Sequence, residues 1–133
     1  MSFEFPIRIY WEDTDAGGIV FYANYLKFFE RARTEWLRSL GIEQRSLRES
    51  SGGIFVVGET SVRYRQPARL DDELLVTARV QESGRASLII AQQAFLRSSH
   101  TLLCDGTIRI GWVEADTLKP ARIPHNILES LKQ

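Results

Sequence analysis

Residues 10–29 read YWEDTDAGGIVFYANYLKFF. Three carboxylates, Glu12, Asp13 and Asp15, stand just ahead of Gly17 and Gly18, and a run dense in aromatics follows at once. A carboxylate beside aimed backbone N–H donors is a working pair for acyl transfer. The carboxylate attacks a carbonyl or activates a water, and the donors stabilise the oxyanion that forms. A helix that begins a few residues after the glycines supplies such donors, because its first N–H groups lack intrahelical partners and carry the positive end of the dipole. Glycines let backbone and substrate approach closely. Taken alone, the same residues also describe a surface turn, with Asp and Thr bonded to nearby backbone and Gly17-Gly18 taking positive φ. Two features pull against that reading: Ile19, Val20, Phe21 and Tyr22 set the turn against buried surface, and the helix starts close by.

Other chemistries find less support. A calcium loop beginning at Asp13 needs a glutamate at its twelfth place, where this chain has Asn24. There is no Gly-x-Ser-x-Gly elbow, dinucleotide fingerprint or phosphate-binding loop. His100 lies in a polar turn and reads as solvated, while His125 precedes the tail helix and reads as its cap. Two distant histidines and one cysteine are too few for a structural zinc site. Cys104 sits in an apolar run and reads as core. No metal and no cofactor is expected, and catalysis is expected to rest on carboxylates, hydroxyls or backbone groups.

With 133 residues, 44% of them hydrophobic and 26% charged, the chain is expected to form one globular domain over 1–133. The 17 basic and 17 acidic side chains cancel, so no strong global field selects nucleic acid or an anionic membrane. A lone cysteine fits a cytoplasmic location, and the N-terminal residues show no leader-like or membrane-spanning run.

The elements that must position the turn follow from periodicity. Residues 5–11 read as a short strand. Tyr22, Tyr25, Leu26, Phe29, Ala32, Trp36, Leu37 and Leu40 recur at three- and four-residue steps, predicting a helix of about 18 residues that Gly41 ends in a left-handed cap. Asn24 is the natural N-cap, which assigns the free N–H groups to Tyr25 through Lys27. Residues 42–50 predict a second short helix. From Ile54 the period changes to two, with strands over 54–66, 73–81, 86–97 and 101–113 joined by short turns that imply antiparallel neighbours. HNILESLKQ, residues 125–133, closes the chain as a short helix. One apolar helix face and one apolar sheet face imply an α+β layer pair, with the sheet curved around the helix. Leu75, Ile89 and Phe95 fall on the second face of the sheet, and the open sheet edges favour a homo-oligomer.

The stretch Tyr10 to Val20, followed by Tyr22-Ala23-Asn24-Tyr25 and Glu30-Arg31-Ala32-Arg33, resembles the 4-hydroxybenzoyl-CoA thioesterase family of hot-dog-fold proteins, most nearly its YbgC-like acyl-CoA thioesterases. Tyr64 to Asp72 is similar to the family's second strand and turn, and Lys119-Pro120 to its tail. The resemblance implies a hot-dog fold, an antiparallel sheet of about five strands around one long central helix. It implies homodimers, often paired into homotetramers, with active sites at the subunit interface. Asp15 takes the place of the family's catalytic carboxylate, as nucleophile or as general base. Tyr22 takes the place of the residue whose main-chain N–H polarises the thioester carbonyl. Where YbgC-like proteins commonly have histidine and tyrosine, this chain has Tyr22 and Trp11, which keeps an aromatic acyl substrate in view beside a short-chain one. Gly17 and Gly18 let the substrate approach. Arg63, Arg65 and Arg69, on or beside one strand face, are candidates for the CoA phosphates, against the commoner reading of a solvated polar face. Phe21, Phe55 and Val57 are candidate walls of the acyl pocket. Acyl-CoA is the expected substrate and acyl carrier protein a further carrier. The alternative is a module that binds either carrier with little turnover. A hot-dog dehydratase ranks last, because no histidine occurs between residues 10 and 60.

Overall fold

The aromatic stripe of the long helix is the surface around which the rest of the chain packs. The structure is a computed structural model that describes residues 3–132. Helix α1 (Tyr25–Ser39) buries Tyr25, Phe28, Phe29, Ala32, Trp36 and Leu37, the spacing that gathers apolar side chains on one face. Its C-terminus closes as predicted at Gly41, whose φ is +82°. The Ile42 N–H donates to the Leu37 carbonyl (2.8 Å) and the Gly41 N–H to that of Arg38 (3.0 Å), the bond pair of a Schellman cap. A second helix, α2 (Gln44–Ser51), ends at Gly52, also left-handed at φ +73°.

Five strands, β1 (Phe3–Arg8), β2 (Gly53–Tyr64), β3 (Glu73–Ser83), β4 (Ser87–Leu96) and β5 (Thr101–Glu114), form one antiparallel sheet in the order β1-β3-β4-β5-β2. The period of two sends Leu88, Ile90, Gln92 and Ala94 of β4 to the buried face. Register shifts at Val57/Glu59, Val80/Glu82 and Ala94/Phe95 bend the strands and increase their twist, which lets the sheet curve over α1. Leu75, Ile89 and Phe95 on the other face are half-buried. The tail helix α3 (His125–Leu131) seats Ile127 and Leu131 in the core; Gln133, the last residue of the predicted tail helix, lies outside the described residues.

Three local expectations are corrected. First, β1 stops at Arg8 and the chain curls into a 3-10 turn at Trp11–Asp13, because the Asp13 carboxylate takes the Tyr10 N–H. Second, β2 and β3 are not sheet neighbours. Residues 65–72 instead run from the edge strand β2 to β3, the neighbour of the opposite edge strand β1. Their backbone groups are used elsewhere: the Ala68 N–H donates to the Tyr25 hydroxyl oxygen at 3.0 Å, and the Ala68 carbonyl takes the Val20 N–H. Third, His125 is the first residue of α3 and Pro124 occupies its cap position.

Cys104 is fully buried, as expected of a core residue. Burial, and secondarily the nearby Asp105, push its thiol from 9.0 up to about 12. A raised folded-state value means that the neutral thiol is favoured in the fold. Its contribution to stability is therefore full below pH 9 and is lost as pH rises toward 12. Chemical denaturation across that range should show a steeper alkaline loss in the parent than in Cys104→Ala; parallel curves would contradict the assignment.

Candidate active site at the Asp15 turn

Asp15 opens a tight hairpin whose arms are joined by a Thr14–Val20 bridge. The Asp15 N–H donates to the Ile19 carbonyl (2.9 Å), and the Gly18 N–H donates to the Asp15 carbonyl (3.0 Å). Gly18 has φ +77°, a conformation that a side chain would strain. The Gly17 N–H donates to Oδ1 of Asp15 at 2.8 Å, fixing the carboxylate over the turn. Asp15 is exposed, and among the described residues no cation pairs with it. The hairpin is pinned to the 65–72 link by an Ile19–Arg69 bridge and by the Leu70 N–H on the Gly18 carbonyl (3.3 Å).

The acid two residues earlier has a different environment. Asp13 is 4% exposed. Its Oδ2 accepts the Tyr10 N–H (2.8 Å), its Oδ1 accepts Nδ2 of Asn24 (2.7 Å), and its carbonyl accepts the Phe21 N–H (3.1 Å). One buried carboxylate thus ties the end of the β1 segment to the start of the helix. Asn24 occupies the cap position of α1, as expected, but does not cap through its side chain. Its backbone is already helical (φ −69°, ψ −22°), and its side chain makes no capping bond because Asp13 takes it. The chain enters α1 through a 3-10 turn, Tyr22–Asn24, after an extended Phe21. The free N–H groups therefore fall earlier than Asn24 capping implies. Among the described residues, neither Tyr22 nor Ala23 donates its N–H to a backbone or side-chain acceptor. These are the orphan donors of the helix entrance.

Beside them lies a largely apolar pocket of about 290 Å³, lined by Ile19, Val20, Tyr22, Tyr25, Tyr64, Arg65, Gln66 and Pro67. The Tyr22 and Tyr64 rings meet edge to face at 5.9 Å, and Tyr64 packs on Tyr25 at 5.7 Å. The structure thus brings Asp15, Gly17, Gly18 and Tyr22 onto one short segment, with Arg65 in the adjoining pocket. Arg65 is bonded to Asp105 through Nε (2.7 Å) and Nη2 (3.4 Å), so its charge is partly matched within the chain. Arg69 touches the turn through its backbone bridge, whereas Arg63 is exposed on β2 opposite Asp105 and lines no part of the pocket. The three predicted pocket walls do not converge: Phe55 and Val57 line a separate cleft near Arg33, and Phe21 stands exposed beside Tyr22. Among the described residues, no three His, Cys, Asp or Glu converge to hold a metal ion, and no helix is long and apolar enough to cross a membrane.

An antiparallel sheet curved over one long helix, with an acid turn at the helix entrance, defines a hot-dog thioesterase architecture. The chain belongs to the thioesterase-like superfamily, which it matches over residues 9–131. It is 41% identical to the acyl-CoA thioesterase YbgC of Haemophilus influenzae, over 95% of this chain and 91% of that protein. It is 38% identical to the acyl-CoA thioester hydrolase YbgC of Escherichia coli, over 98% of this chain and 96% of that protein. A probable thioesterase from Bartonella henselae superposes with a TM-score of 0.86 at 30% identity, covering 93% of this chain and all of that one. A 1,4-dihydroxy-2-naphthoyl-CoA thioesterase from Synechocystis shares the fold, with a TM-score of 0.92 at 19% identity over 100% of this chain and 97% of that one.

The Asp13–Asn24 bond can be tested by itself. Asn24→Leu keeps the side-chain size and leaves a buried carboxylate oxygen without its donor, which should cost about 1–3 kcal/mol or more in denaturant unfolding. Unchanged stability would show that the bond does not brace the helix entrance.

Proposed function

We infer that this protein is an acyl-CoA thioesterase, hydrolysing an acyl-CoA thioester with water to the free acid and CoA. The observation that carries the reading is the pairing, on one braced segment, of the Asp15 carboxylate with the orphan N–H donors of Tyr22 and Ala23. In the proposed reaction the Tyr22 N–H polarises the thioester carbonyl and holds the oxyanion. Asp15 either attacks that carbon, forming an acyl-enzyme anhydride that water then hydrolyses to free acid and the regenerated carboxylate, or takes a proton from the attacking water. In both routes the carbon–sulfur bond breaks and CoA leaves as the thiol, its proton coming ultimately from the water. Gly17 and Gly18 give the acyl carbon access to Asp15. The aromatic walls at Tyr22, Tyr25 and Tyr64 support a short-chain or aromatic acyl group.

Arg65 and Arg69 are the better placed of the three arginines to meet the CoA phosphates, with Arg65 exchanging part of its bond to Asp105; Arg63 is the weakest of the three. We further propose that the chain acts as one domain in a homodimer or homotetramer. An exposed Asp15 with exposed Tyr10, Trp11, Phe21 and Tyr22 around it fits a site that a second copy closes. A cytoplasmic location, suggested by the lone cysteine, and acyl carrier protein as a second carrier belong to the same proposal.

The test is a hydrolysis screen over short-chain, long-chain and aromatic acyl-CoA thioesters with detection of the released thiol. The parent should turn over short-chain or aromatic substrates. Asp15→Asn and Asp15→Ala should lose about 10²–10⁴-fold in kcat with the fold intact. Full activity in Asp15→Ala would sink the assignment, and binding without turnover across the panel would make the protein a binding module.

A further inference from the structure

Charge and apolar surface meet a second time in the C-terminal half of α1. Gln92 lies on the buried face of β4 with 1% of its surface exposed. Its Nε2 donates to the Phe29 carbonyl (3.0 Å) and to the Thr77 carbonyl (3.1 Å). Both amide protons are committed to main-chain oxygens, so Oε1 must face the other way. There it accepts Nη1 of Arg33 at 2.9 Å. A rigid, fully buried acceptor therefore holds the inner end of a largely buried guanidinium. A guanidinium carries five N–H donors, and this is the one side-chain bond that Arg33 makes among the described residues. Among those residues it forms no ion pair. Burial lowers its pKa, with Glu30 acting in the opposite direction.

Arg33 faces a cleft of about 180 Å³ between α1 and the start of β2. Trp36, Leu37, Phe55 and Val57 supply apolar wall, and Thr34 and Gln44 add a hydroxyl and an amide. The cleft shares no lining residue with the pocket beside Tyr22. Along the helix axis Arg33 lies about 12 Å from Tyr25. A desolvated cation is costly unless an anion meets it, and a planar fork suits a carboxylate through two parallel bonds. Glu30 also lines the cleft and disfavours a multiply charged anion such as a phosphate. We propose that this cleft binds a small monocarboxylate with an apolar body, the carboxylate held by Arg33 and the body by Trp36, Leu37 and Phe55. The proposal does not depend on the thioesterase reading.

The test is a titration of the intact protein with sodium benzoate and sodium butyrate, with benzamide as the neutral control, at constant ionic strength and followed by NMR. Saturable shifts are expected at the Arg33 side-chain N–H and the Trp36 indole N–H. Arg33→Met should weaken binding by about tenfold or more, the loss of a charge-assisted bond pair, while Arg33→Lys falls between. Val57→Trp alters an exposed cleft wall without touching the Gln92 network, and should block binding even if Arg33→Met fails to fold. Benzamide binding as well as benzoate, full affinity in either Arg33→Met or Val57→Trp, or shifts confined to the Tyr22 pocket would overturn the proposal. So would protection of Arg33 by self-association of the chain with no carboxylate binding.

Discussion

The bond between the Asp13 carboxylate and the Asn24 side chain is the constraint on which the candidate site depends. It is short, buried and charge-assisted, and it spans the hairpin that carries Asp15. With the Tyr10 N–H on the other oxygen, it places a negative charge at the positive end of α1 and sets where the helix can begin. The Asn24 side chain is then no longer available for capping, the entrance tightens into a 3-10 turn, and among the described residues the N–H groups of Tyr22 and Ala23 are left without an acceptor. Two acids two residues apart thus do different work. Asp13 is enclosed and structural, while Asp15 is exposed and held by only one glycine N–H.

The sheet topology serves the same turn. Because β2 follows the helices and lies at the edge far from β1, the 65–72 link must cross from that edge to β3, beside the opposite edge strand β1. That link meets the Tyr25 hydroxyl, the Val20 N–H and the Gly18 carbonyl, so the helix, the hairpin and the end of β2 are joined at one place. The pocket beside Tyr22 is the space left where they meet. The long aromatic helix therefore does more than fill the core. Its first residue, Tyr25, spends its hydroxyl on fixing the chain that backs the turn.

Much of this was legible from residue order because it is local. The α1 stripe repeats at three and four residues, the strands alternate, and Gly41 stops the helix in the left-handed conformation expected of it. Asp15 stood out through its glycines and the buried flank after them. Features that depend on distant partners were harder to read. Nothing near β2 shows that it pairs with β5 instead of β3. Asn24 looked like a side-chain cap because the competitor for its amide lies eleven residues away on another element. Gln92 did leave a signal, an amide at a core-facing position between Ile90 and Ala94, which requires polar partners. Its partners come from two other elements, Phe29 and Arg33 of α1 and Thr77 of β3, and could only be named once α1 was seated on the sheet.

The central claim is that a main-chain donor at the helix entrance, set in place by Asp13, carries the oxyanion. Tyr22 allows that donor to be removed almost alone. It opens a 3-10 turn, where proline is tolerated, and Phe21 before it already has the extended backbone (φ −62°, ψ 130°) that a following proline demands. The most direct measurement is kcat for Tyr22→Pro against Tyr22→Phe on the preferred acyl-CoA, with both variants shown to be folded. The account predicts a loss of about 10²–10³-fold for the proline variant and a near-parent rate for phenylalanine. A near-parent rate for proline, or an equal loss for phenylalanine, would contradict it.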